Sequence, residues 1–119
     1  MDDGRPIFLQ IAEQIENSII DGSLAEETQV PSTNELAAFH RINPATAGKG
    51  INQLVDDGIL YKRRGIGMFV SPGARAKLRH RRREHFSDQF LRPLLLEAHK
   101  LGLSPAELKD MIDAWEKDQ

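Results

Sequence analysis

Nine basic residues lie between Tyr61 and Arg83 with no acid among them: Lys62, Arg63, Arg64, Arg75, Lys77, Arg79, Arg81, Arg82 and Arg83. The chain has sixteen Lys and Arg in all, so more than half fall in this stretch, and the part after Ser104 is net acidic. The overall charge of −2 hides this asymmetry. A concentrated positive stretch suits an anionic partner, and a solvated helix face would look the same. Catalysis has little to work with. There is no cysteine, no nucleophile–base constellation and no GxxxxGK phosphate loop. His80, His85 and His99 form no i,i+4 ligand pair, and no Asp/Glu/His cluster has a metal signature. No enzyme, metal or cofactor is expected.

Helix punctuation is the second signal. Ser32-Thr33-Asn34-Glu35 reads as a capping box, with Ser32 accepting from the Glu35 amide and the Glu35 carboxylate reaching back. Asn43-Pro44 then gives a second start, with Asn as N-cap and Pro at the first helical position. Two helix starts so close together predict two short helices joined by a tight turn.

The surrounding elements must position these residues. The chain has 119 residues, enough for one domain or one small domain with an appendage. Charged residues make up 29% and hydrophobic ones 39%, and no run of about 18 apolar residues suggests a membrane span. The opening MDDGRP is acidic and does not read as a signal peptide. The missing cysteines suit a reducing cytoplasm. Phe8, Ile11, Ala12, Ile15 and Ile19 recur at helical spacing, with Pro6 in the first turn and Gly22 as the stop. Residues 23–31 read as a connector. Ile51, Leu54 and Val55 give the second short helix its buried face, and Asp57-Gly58 closes it. Residues 59–63 and 68–70 read as strands around the turn Arg64-Gly65-Ile66-Gly67. Pro72-Gly73 marks a boundary. A long helix follows over roughly 75–101, kinked at Pro93, and Ser104-Pro105-Ala106-Glu107 caps a last one.

The order helix, helix-turn-helix, basic glycine hairpin describes a winged helix-turn-helix. The first short helix braces against the nucleic-acid backbone, and the second presents its N-terminal residues to base edges. Free N–H groups at that N-terminus would favour phosphate. The expected fold is mostly α with a small β-hairpin: a DNA-binding domain over 1–72 and a two-helix dimerisation segment over 73–119.

Segment 6–71 resembles the winged-helix domain of GntR-type bacterial transcription regulators. The matching pieces are Pro6-Ile-Phe-Leu-Gln-Ile-Ala, Val30-Pro31-Ser32, Glu35-Leu36-Ala37, Ile42-Asn43-Pro44, Thr46, Asp57-Gly58-Ile59-Leu60, and Arg63-Arg64-Gly65-Ile66-Gly67-Met68-Phe69-Val70. The Ile-Asn-Pro turn and the short tail resemble the YtrA subfamily, which implies two C-terminal helices used for dimerisation. The resemblance implies a repressor bound to a palindromic double-stranded operator. The chain departs from the family pattern at Asn34 (usually Arg), His40-Arg41 (usually Leu-Gly), Ala47 (usually bulky), Lys49 (usually Arg) and Met68 (usually Thr). Phe39 or His40 is expected to take over part of the missing Leu packing, and Arg41 to accept either a left-handed conformation or a reshaped turn, at about 1 kcal/mol. Gly48 and Gly50 flank Lys49, each costing about 1 kcal/mol relative to Ala inside a helix.

The expected DNA contacts follow. Ser32, Thr33 and Asn34 should meet phosphates, and Arg41 is a further phosphate candidate. Asn43, Ala45, Thr46 and Lys49 lie on the first turns of the recognition helix. Ala45 suits a thymine methyl, and Lys49 positions more than it specifies. Arg63, Arg64, Gly65 and Gly67 form the wing contact. The tail carries a wide apolar stripe of Phe86, Phe90, Leu91, Leu94, Leu95, Leu101, Leu108, Met111, Ile112 and Trp115. Two helices cannot bury it alone, and a homodimer would. The short tail leaves little room for a closed pocket of about 300 Å3; an effector, if any, would sit at the dimer interface. The competing reading is a winged-helix module for protein contacts with weak DNA affinity.

Overall fold

Pro6, at the N-cap, starts helix α1 (Ile7–Ile20), and the three- and four-residue spacing of its apolar residues buries Ile11, Ala12, Ile15 and Ile19. The structure is a computed structural model and describes residues 4–119. The first three residues of the MDDGRP opening lie outside the described residues. Among the described residues no helix is long and apolar enough to cross a membrane.

Helix α2 (Thr33–His40) starts at the expected capping box, with both reciprocal bonds at 3.1 Å. It ends at Arg41, which is left-handed with φ 56° and ψ 50°. The Ile42 amide donates to the Ala37 carbonyl at 3.0 Å and the Arg41 amide to that of Ala38 at 3.3 Å. This is a Schellman closure, and Ile42 packs against the core as its usual apolar partner. Of the two residues expected to share the Leu packing, Phe39 is 82% exposed, with its ring edge-on to that of His40 at 4.9 Å between centroids, and His40 is half-buried. Ile42 does that work from the far side of the turn.

Helix α3 (Pro44–Asp56) is capped by Asn43, whose Oδ1 accepts from the Ala45 amide at 2.8 Å. Its buried face is wider than Ile51 and Leu54 and takes in Ala47 and Gly50, with Val55 half-buried. Strands β1 (Leu60–Arg63) and β2 (Gly67–Val70) pair antiparallel, Leu60 opposite Val70 and Arg63 opposite Gly67. The connector before α2 is not a plain loop. Gln29 bridges Phe69, and the Val30 amide donates to the Met68 carbonyl at 2.9 Å. The connector thus lies along β2 as a third, short edge. A two-stranded hairpin alone is marginal in water, and this edge supports it.

Helix α4 (Ala74–Phe86) buries Ala74 and Leu78 in the same core as α1–α3 and the hairpin. The first compact unit therefore runs to His80, and the second is Arg81–Gln119. Two cations of α4 hold the ends of other helices. Arg75 Nε donates to the Ile20 carbonyl at 3.0 Å, and Lys77 Nζ to the Asp57 carbonyl at 2.5 Å. Both carbonyls lie at helix C-termini, where positive charge is favoured.

In the second unit the single long helix is interrupted. A π-helical turn over Ser87–Leu91 leads into α5 (Arg92–Lys100), with Pro93 in its first turn. The wider turn accommodates a residue without an N–H, whose ring would otherwise crowd the preceding carbonyl. Gly102, at φ 73°, ends α5, and the Ser104 capping box starts α6 (Pro105–Lys117). Ala98 and Leu108 are the only buried apolar residues of this unit.

Candidate nucleic-acid interface

On the first unit the start of α2 lies against α3, and the Arg41 turn at the other end of α2 leads into the start of α3. Ser32 Oγ accepts the Glu35 amide, which leaves its hydroxyl hydrogen free to donate. Thr33 is half-buried, with its methyl 3.5 Å from where a Cβ on Gly48 would sit, and Asn34 is exposed. Among the described residues the Thr33 and Asn34 amides have no intramolecular acceptor. Free amides at a helix N-terminus suit an anion.

The same was expected of α3, and the structure corrects it. Pro44 has no N–H, the Ala45 amide is taken by Asn43 Oδ1, and the Thr46 amide donates to the Asn43 carbonyl at 3.0 Å. The α3 N-terminus is closed on itself, so side chains must do its reading. Asn43 and Ala45 are exposed, and Thr46 is half-buried. Ala47, which replaces the family's bulky residue, is fully buried and belongs to the core. Lys49 is exposed, and its ammonium lies 4.2 Å above the Phe8 ring. At an exposed site such a contact is worth about 0.5–1 kcal/mol, little enough for a phosphate to displace. The exposed face continues to Asn52, seven residues after Ala45 and three after Lys49. Sequence reasoning missed Asn52, although helical spacing alone would have found it. Its amide can pair with adenine N6 and N7.

The wing divides its cations. Arg64, Gly65 and Ile66 are exposed at the tip, where Gly65 has φ 77° and the Ile66 amide donates to the Arg63 carbonyl at 3.0 Å. Arg63 is engaged. Its Nη2 lies 3.0 Å from Glu27 Oε2 and 2.8 Å from the Tyr61 hydroxyl, and its guanidinium stacks 4.1 Å over the Phe69 ring. The hydrogen bond with Tyr61, seconded by the Glu27 carboxylate, raises the Arg63 pKa above its ordinary value. No sequence spacing indicated this cluster, because Glu27 and Tyr61 are 34 residues apart.

Of the expected tail stripe, Leu108 is 8% exposed inside its own unit. Phe86, Phe90, Leu91, Leu94, Leu95, Leu101, Met111, Ile112 and Trp115 are 42–65% exposed, and Leu96, outside the expected stripe, joins them at 56%. On the first unit a groove of about 480 Å3 opens between α1, the connector and α2, lined by Ile11, Ile15, Leu24, Leu36 and Phe39 among others.

Comparison with known proteins agrees with this arrangement. A family model described as bacterial regulatory proteins, gntR family, matches residues 8–70. The HTH-type transcriptional repressor YtrA of Bacillus subtilis is 30% identical over 107 residues, 90% of this chain and 82% of that protein. A GntR-family regulator from Bacteroides thetaiotaomicron superposes with a TM-score of 0.74 at 31% identity, over 95% of this chain and 98% of that one. The DNA-binding domain of AraR, solved in complex with its operator ORX1, superposes with a TM-score of 0.56 at 31% identity, over 60% of this chain and 86% of that one. The chain belongs to the gntR family of bacterial regulatory proteins, as a DNA-binding transcription regulator and not an enzyme.

Proposed function

We propose that the chain is a homodimeric repressor that binds a palindromic operator. It places α3 in the major groove and the wing tip against the adjacent minor groove. Ser32, Thr33, Asn34 and Arg41 take phosphates. Ala45, Thr46, Lys49 and Asn52 form the reading face, with Asn43 at its edge. Arg64, Gly65 and Gly67 form the wing contact.

The dimer rests on one observation. Ten large apolar side chains between Phe86 and Trp115 are exposed in a unit that buries only Ala98 and Leu108. A soluble monomer rarely shows so much contiguous apolar surface, and a second copy covers it isologously. Two copies then present two α3 helices to a site with matching symmetry. In the AraR domain the same fold is seen on operator DNA.

The test is selection from a pool of random short duplexes at two salt concentrations. The expected product is a palindrome with half-sites about one helical turn apart. Its affinity should fall steeply with salt as phosphates are neutralised. Weak binding with no enriched motif would rule out the repressor and favour the protein-contact module.

A further inference from the structure

The connector Glu27–Val30 has no place among the DNA contacts above, yet it holds the wing at two points. Gln29 lies opposite Phe69 on β2, and its Nε2 donates to the Ile66 carbonyl at the wing tip at 2.9 Å. Its side chain occupies the space beside the bare α-carbon of Gly67, where a Cβ would come within 2.5 Å of Nε2. Glu27 grips the base. Its Oε2 accepts from the Tyr61 hydroxyl at 2.7 Å and from Arg63 Nη2 at 3.0 Å. Glu27 does so from a left-handed backbone, φ 66°, which costs a non-glycine residue about 1 kcal/mol. Strained backbone persists where the surroundings over-determine it, and here they are the hairpin itself: the Glu27 amide also donates to the Val70 carbonyl at 2.8 Å.

We propose that Gln29 and Glu27 are positioning residues for the wing, which hold Arg63 as a rivet at its base and fix its tip so that Arg64 and Ile66 meet DNA in one orientation. The proposal rests on the DNA-binding reading of the wing. Arg63 has two hydrogen-bonded partners and an aromatic face, so reaching a phosphate would exchange contacts already made. Arg64, one residue on, is exposed. Ile66 is 61% exposed at the tip of a hairpin, with no core to join. An apolar side chain there suits the sugar walls and floor of a minor groove. Holding the tip in advance removes ordering that binding would otherwise have to supply.

The test measures the affinity of the full chain for the selected duplex and for a random-sequence duplex of equal length, across a salt series. The variants are Gln29→Met, Arg63→Met and Arg64→Ala. Gln29→Met keeps the length of the side chain and removes only its donor. It should weaken binding to the selected duplex about 3–10-fold, the range for one lost hydrogen bond, with the salt slope unchanged. Arg64→Ala should lower the slope by about one. Arg63→Met should weaken binding without changing the slope, because a rivet touches no phosphate. In the Arg64→Ala background the Gln29→Met effect should shrink, since both act through one tip. Amide spectra of Gly65, Ile66 and Gly67 should shift in Gln29→Met while core amides stay in place. Wild-type affinity for Gln29→Met beside a weakened Arg64→Ala overturns the positioning role alone, and so does an Arg63→Met slope lowered by one. Equal affinity for wild type and Arg64→Ala removes the wing from DNA binding, and the proposal falls with it.

Discussion

Gly48 and Gly50 are two residues apart on α3, and replacing each by alanine should change stability in opposite directions. A glycine inside a helix is about 1 kcal/mol less favourable than alanine, so propensity alone makes both changes stabilising. The surroundings separate them. A Cβ on Gly48 would lie 3.5 Å from the Thr33 methyl, an ordinary contact. Gly48→Ala should therefore stabilise by about 0.5–1 kcal/mol. A Cβ on Gly50 would lie 2.7 Å from the Phe8 carbonyl oxygen and 3.5 Å from the Ile11 side chain. A backbone oxygen in the first turn of α1 cannot rotate away, so α1 must shift. Overpacking of this kind costs about 1–3 kcal/mol and outweighs the propensity gain. The variants should differ by about 1–3 kcal/mol, or roughly 4–12 °C in Tm for a chain of this size. Urea unfolding at one fixed protein concentration measures it, read from the midpoint at constant slope, because association also contributes to stability. Gly50→Ala as stable as Gly48→Ala would refute the close approach of α1 to α3.

Two further predictions address the turn and the tail. Arg41→Gly should stabilise the fold by about 1 kcal/mol, since glycine adopts the left-handed conformation without strain, and should lower the salt slope of DNA binding by about one. An unchanged slope would remove Arg41 from the phosphate contacts. Met111→Glu combined with Trp115→Glu should convert a dimer to a monomer in sedimentation at micromolar concentration, with helix content retained. A persistent dimer would place the seam elsewhere than on the face shared by residues 55–65% exposed in α6.

What could be read from the sequence was local. The capping boxes at Ser32 and Ser104, the Asn43-Pro44 start and the glycine hairpin are set by chemistry within four residues, and all appear in the structure. The sequence left Arg41 between a left-handed conformation and a reshaped turn, and the Schellman bonds decide for the first. What could not be read was set by distance along the chain. Ala47 stood out in the sequence only as a small residue where the family has a bulky one, and its place in the core became visible only with the fold. The connector edge on β2 has no β-rich run to announce it; it pairs because the hairpin offers free backbone groups. Arg75 and Lys77 looked like part of one basic stretch with Arg79–Arg83, yet they bind helix-end carbonyls. Net charge cannot separate a cation that ties a fold together from one that meets DNA.

The two non-glycine residues at positive φ, Glu27 and Arg41, bracket α2. At each, glycine would relieve about 1 kcal/mol of strain and remove a charged side chain. At Glu27 that side chain is bonded to Arg63 and Tyr61, so the strain is balanced inside the fold. At Arg41 the guanidinium is exposed and makes no ion pair among the described residues. The Schellman bonds and the Ile42 packing offset that strain through the backbone, and they make no use of the guanidinium. The turn of the helix-turn-helix thus keeps a charge that its own closure does not use, and the wing base keeps one that holds the hairpin. The first is what the proposed phosphate contact requires. The second marks the support behind it.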